Sequence, residues 1–166
     1  MALRVPVAEE ALDRAVTLEK EGYDYFFQAS QQTDNELAKR TFQALAARHA
    51  GHAGQIGRIR RIAAGKEPPQ PRSVSPPRSM FDEIMRKLEQ SGAPTAADLA
   101  ALQEALTYAA KLRDVYAHLA GTSPSGWEHS LYDMLTREED ALKLTLADTL
   151  DYLRSNFQLS DLSKEE

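Results

Sequence analysis

The residues able to do chemistry in this chain are Glu19, His49, His52 and Glu139, four polar side chains set among residues that favour burial. Ala38, Phe42, Leu45, His49, His52, Ile56 and Ile59 follow alternating steps of four and three, so both histidines lie in one seam of a helix. Glu19 shares a face with Leu12, Val16, Tyr23 and Phe26. Glu139 stands in the row Leu131, Leu135, Leu142 and Leu146, with Glu138 as a competing inward candidate. Two carboxylates and two imidazoles in a dry interior each carry a desolvation cost on the order of several kcal/mol unless paired or bound to an ion. A divalent cation meets that demand economically, since two glutamates neutralise it while neutral imidazoles complete the shell. The same spacing also allows a simpler outcome. A carboxylate at the seam's edge reaches solvent, and a buried histidine is satisfied by a backbone carbonyl or a glutamate.

Helices must position these groups. The periodicity predicts long helices over about 7–31, 35–64, 95–120 and 127–155, with Thr33 and Asp34 as caps for the second and Thr95 for the third. Gly65, Pro68 and Pro69 stop the second helix, and five prolines between Lys66 and Arg78 predict an extended crossover. A short amphipathic helix over 79–90 uses Met80, Phe81, Ile84, Met85 and Leu88, and Gly92 and Pro94 end it. The expectation is an all-α, antiparallel four-helix bundle in one domain, 1–166. It comprises a hairpin over 7–64, a crossover with its short helix over 65–94, a similar hairpin over 95–155, and a frayed tail over 156–166.

Composition narrows the function. A length of 166 residues suffices for one core without covalent staples. A formal charge of -5 argues against nucleic acid as a partner, because phosphate binding relies on Lys and Arg. With no cysteine, the chain has no disulfide, thiolate site or cysteine-ligated iron–sulfur centre. No segment has the apolar length of a signal peptide or membrane span, so a cytoplasmic location is expected.

At the candidate ligands the chain resembles the rubrerythrin-like branch of the ferritin-like superfamily. The stretch Leu18-Glu19-Lys20-Glu21-Gly22-Tyr23-Asp24-Tyr25-Phe26 resembles the family's first-helix motif, a ligand glutamate seven residues before an aromatic. The run from Phe42 to His52 resembles the second-helix motif ending in Glu-x-x-His, which reads His49-x-x-His52 here. In the second hairpin Ala109, seven before Tyr116, stands where a glutamate is expected, and Leu142, at the end of the run from Leu135, stands where a histidine is expected. The resemblance implies a ferritin-like bundle with a degenerate di-metal site. One metal position keeps Glu19, His52 and Glu139 and gains His49; the other loses both private ligands.

The implied cofactor is therefore one divalent ion of iron, zinc or manganese, or none. A site so reduced lacks the second iron that dinuclear oxygen or peroxide activation draws on, so enzymatic activity stays open. Metal handling or oxidative-stress redox chemistry, with an external electron donor, is the leading expectation. The alternative is a metal-free structural or interaction module. A homodimer is expected, through helix exchange or the Met80–Leu88 helix, whose apolar face needs a cover.

Among the remaining features, Gly51, Gly54 and Gly57 recur along the second helix, where each costs about 1 kcal/mol relative to alanine. That predicts close packing there by the short helix or crossover. Arg58, Arg60 and Arg61 read as a solvated helix end that complements the dipole, and His118 and His129 as surface residues. Tyr23, Tyr108 and Tyr116 read as core aromatics.

Overall fold

The computed structural model describes residues 4–63, 78–123 and 126–165. Five helices account for nearly all of them: α1 (Arg4–Gln32), α2 (Glu36–Ala63), α3 (Phe81–Arg86), α4 (Ala96–Thr122) and α5 (Gly126–Leu162). There is no strand among the described residues, and no helix is long and apolar enough to cross a membrane. The expected crossover lies outside the described residues, apart from Arg78.

The helix starts are fixed by side-chain caps. Asn35, not Thr33 or Asp34, begins α2: its Oδ1 accepts from Ala38 N at 3.0 Å. Its Nδ2 donates to Ser91 O at 2.8 Å, which ties the α1–α2 turn to the segment before α4. An asparagine can serve both connections because its amide carries an acceptor and a donor. At α4, Thr95 and Asp98 form a reciprocal capping box, as the sequence leads one to expect of Thr95. Gly92 adopts φ 66, a left-handed turn conformation that suits glycine.

Two boundaries differ from expectation. The short helix is confined to Phe81–Arg86. It is pinned at its start by Met80 N, which donates to buried Thr145 Oγ1 at 2.9 Å. The chain after residue 155 is not a frayed tail, because α5 runs on to Leu162. No glycine or proline interrupts that segment, and Phe157 in it is half-buried.

The helices pair as two hairpins, α1 with α2 and α4 with α5, which pack together as a helical bundle. Its apolar interior falls into two clusters. One contains Phe26, Phe42, Leu45, Leu102, Ala109, Leu142 and Leu146. The other contains Leu12, Ala15, Ile56, Leu112, Tyr116, Leu131 and Leu135. Along α1, α2 and α5 the change from one cluster to the other falls at Glu19, at His49 and His52, and at Glu138 and Glu139. A polar layer thus crosses the middle of the bundle, framed by apolar side chains that exclude water from both ends.

Candidate metal centre

The polar layer is deeply buried. Glu19, His49 and Glu139 are 0% exposed, Glu138 is 2% and His52 is 6%. A buried polar side chain needs a partner or an ion, and here Glu19, His49 and His52 meet one another.

Glu19 is the hub. Its Oε2 lies 2.7 Å from His49 Nδ1 and 3.2 Å from His52 Nδ1. Its Oε1 accepts from the Tyr116 hydroxyl at 2.7 Å. Three atoms, one carboxylate oxygen and two imidazole nitrogens, are therefore gathered at one point, and Glu19, His49 and His52 form a buried group that could hold a metal ion. Ligands about 2.0–2.1 Å from a tetrahedral ion stand about 3.3 Å apart, a spacing that the Glu19 to His52 distance matches and the Glu19 to His49 distance falls short of.

The far atoms of the same side chains meet a second set of groups. His52 Nε2 lies 3.3 Å from Glu138 Oε2, and that oxygen accepts from Arg48 Nη2 at 2.7 Å and Nε at 3.2 Å. His49 Nε2 faces Glu139 Oε1 at 3.6 Å, beyond hydrogen-bond range. His49 Nε2 and both Glu139 oxygens are the buried polar atoms without a hydrogen-bond partner among the described residues. Glu139 thus lies across the His49 ring from Glu19, and the two carboxylates address opposite nitrogens of one imidazole.

Electrostatics follow from this arrangement. Burial works against the Glu19 carboxylate, but the hydrogen bonds and charges of His49 and His52 outweigh it and hold its pKa down at about 2. Burial also opposes the imidazolium at His52, yet Glu138 and Glu19 raise its pKa to about 9. His49 moves in the same direction, against burial, under Glu19 and Glu139. Burial, assisted by the charges of Glu19 and Glu138, pushes Glu139 up to about 8 against the pull of the histidines. Burial and then Glu19 raise the Tyr116 phenol, which stays protonated and acts as a donor.

Packing holds His49 in place. Phe26 stacks on its ring at 5.5 Å and 12°. Gly22 fills the other approach: a Cβ there would meet His49 Nδ1, Cε1 and Cγ at 2.7, 2.8 and 2.9 Å. Gly22 occupies the inner position of α1, whereas Tyr23, expected on that face, is 36% exposed and stacks on exposed Phe27. The signal for Gly22 was a glycine inside a strongly helical stretch, three residues after Glu19, where it weakens the helix unless space requires it. Tyr116, expected as a core aromatic, is buried and is also the Glu19 donor. Nothing in the apolar spacing marked Arg48, which reaches Glu138 from the flank of the seam.

The other expectations divide. Gly51 and Gly54 have nothing within 4 Å of an added Cβ, so among the described residues no element packs closely on them. Gly54 and Gly57 line an open groove between α1 and α2, and α3 docks elsewhere, through Met80 against Thr145. Arg60 is exposed and pairs with Asp13 at 2.5 Å. His118 is exposed, and His129 Nδ1 donates to Ala120 O at 2.8 Å, closing the α4–α5 connection.

Comparison of the chain with protein-family models, curated proteins and solved structures finds no match.

Proposed function

We propose that this chain is a rubrerythrin-like member of the ferritin-like superfamily whose centre holds a single divalent ion, and that it serves metal handling or oxidative-stress redox chemistry. The observation that carries this reading is the convergence of Glu19 Oε2, His49 Nδ1 and His52 Nδ1 in a buried group. With the ion on those atoms, the outer nitrogens of both imidazoles still face carboxylates. His49 Nε2–H faces Glu139, His52 Nε2–H donates to Glu138, and Tyr116 donates to Glu19 Oε1. Carboxylates on the far nitrogens of metal-binding histidines orient the rings and raise their basicity. In this arrangement Glu139 supports His49 from behind; it reaches the ion itself only if the His49 ring turns aside.

Charge supports the same reading. Glu19, Glu138 and Glu139 carry three negative charges when ionised, and Arg48 cancels one. A divalent ion between neutral imidazoles cancels the other two. One carboxylate and two imidazole donors suit iron, zinc or manganese, and the metal would supply Lewis-acid or redox chemistry when bound.

A metal-free structural module is the second reading, favoured by a specific observation: two imidazolium ions would cancel the same two charges, and both rings already contact carboxylates. Elemental analysis of purified protein beside His52→Ala separates the two. About one ion per chain, lost in the variant, is expected. Sub-stoichiometric metal in both proteins, even after incubation with excess metal, would leave the imidazolium network as the function of the layer. Two ions per chain would overturn the one-ion centre. A homodimer is part of the proposal and is checked by equilibrium mass measurement.

A further inference from the structure

Beside the polar layer, where α3 leans on α2 and α5, lies a cavity of about 280 Å³. Arg48, Arg78 and Arg86 line it together with Ser79, Met80 and Ala141. We infer that this cavity is a binding site for a small organic oxyanion, a carboxylate or phosphate head carried on a short apolar body.

Three arginines line the cavity together with two carboxylates, Asp82 and Glu83, and several guanidinium donors there stay unspent. Arg48 spends Nε and Nη2 on a single oxygen of Glu138, and its Nη1 makes no hydrogen bond among the described residues. Arg78 and Arg86 are exposed and make no ion pair among the described residues. Of the acids on the same wall, Glu83 pairs with Lys87 at 3.3 Å, leaving Asp82 as the nearby counter-charge. The wall therefore keeps unspent guanidinium donors, whose planar forks match carboxylate and phosphate oxygens. Met80 and Ala141 add an apolar surface, which selects a ligand with a hydrocarbon portion over a bare inorganic ion.

One side of the cavity is fixed to the interior of the bundle. Its Arg48 is fixed from behind by Glu138, which is 2% exposed, and Met80 is fixed by its backbone bond to Thr145. The inference does not depend on a metal in the layer, because none of the three arginines belongs to the Glu19, His49 and His52 group.

The test uses the full chain with hexanoate, hexanamide and inorganic phosphate, followed by titration calorimetry and ligand-observed NMR. Hexanoate is expected to bind saturably in the millimolar range or tighter, with hexanamide undetectable and phosphate weaker than hexanoate. Arg86→Gln and Arg78→Gln, both at exposed positions, are expected to fold as the parent does by circular dichroism. Each should weaken hexanoate binding by about fivefold or more, the loss of one charge-assisted contact. Absence of saturable hexanoate binding at about 20 mM, equal binding of hexanamide, or unchanged affinity in both folded variants overturns the assignment. Phosphate binding as tightly as hexanoate overturns its organic part.

Discussion

A methyl group on Gly22 would lie 2.7 Å from His49 Nδ1, the atom that faces Glu19. Real Cβ contacts are not that short, and the stacked Phe26 ring limits the retreat of the imidazole. Gly22→Ala is therefore expected to destabilise the chain by about 1–3 kcal/mol through overpacking, despite the helix propensity it gains. Gly54→Ala meets nothing within 4 Å and should stabilise by about 0.5–1 kcal/mol. Urea denaturation of the two variants checks the contrast; equal effects at both sites would show that Gly22 is not there for His49.

Glu19 and Glu139 are equally buried but address opposite nitrogens of His49, and this separates a ligand from a supporting carboxylate. Glu19→Gln should abolish measurable binding of zinc or iron(II), because the charged donor at the point of convergence is gone. Glu139→Gln should weaken it by about 10–100-fold, the range typical of outer partners of a metal-bound histidine. Competition with a chromophoric chelator measures both. Loss of binding of the same size in the two variants would place Glu139 on the ion, with the His49 ring turned.

Tyr116 spans the bundle from α4 to Glu19 on α1 and donates at 2.7 Å to a carboxylate that is fully buried. Tyr116→Phe keeps the ring and its contacts while leaving Glu19 Oε1 unpaired. The expected cost is about 1.5–3 kcal/mol, the range for a hydrogen bond to a charged group. Chemical denaturation in chelator gives the value. A change below about 0.5 kcal/mol would mean that water or another donor replaces the hydroxyl at no loss.

The parts legible in the sequence are those that periodicity controls. The seam of α2 puts His49 and His52 inward, and the stripes of α1 and α5 do the same for Glu19 and Glu139. Periodicity fixes an angle around a helix to within about one residue, so it could not choose between Gly22 and Tyr23 or between Glu138 and Glu139. In α5 both glutamates are buried, since that helix meets α2 and α4 on adjoining sides. Nor does spacing within one helix say which side of an imidazole a carboxylate on another will face. The split between Glu19 at Nδ1 and Glu139 at Nε2 arises only from the packing of the hairpins. Thr33, Asp34 and Asn35 are all good capping types, so the sequence does not rank them, and the choice is made by the bond of Asn35 to Ser91 across the chain.

The metal-free chain should lose stability as pH rises through neutrality, because its imidazoles and Glu139 hold protons that the unfolded chain releases. His52, raised from 6.5 to about 9, contributes stability that is complete below about pH 6.5 and disappears as pH climbs through 9; His49 acts in the same direction. Glu139, raised from 4.5 to about 8, adds a cost that grows between those two values, because folding there requires a proton that the unfolded carboxylate has released. Glu19, lowered to about 2, acts at the other end: its contribution is present above about pH 4.5 and is lost as pH falls toward 2. Stability in chelator should therefore peak near pH 5–6 and fall toward pH 9. A bound divalent ion takes the place of those protons, so its affinity rises with pH and the metal-loaded chain gains on the metal-free one over the same interval. Urea denaturation at pH 5.5, 7 and 8.5, with chelator and with one equivalent of zinc, measures the divergence. If the chelated protein is level or more stable toward pH 8.5, the imidazoles are not held as cations by Glu19 and Glu138, and the metal-free network fails as an account of the layer.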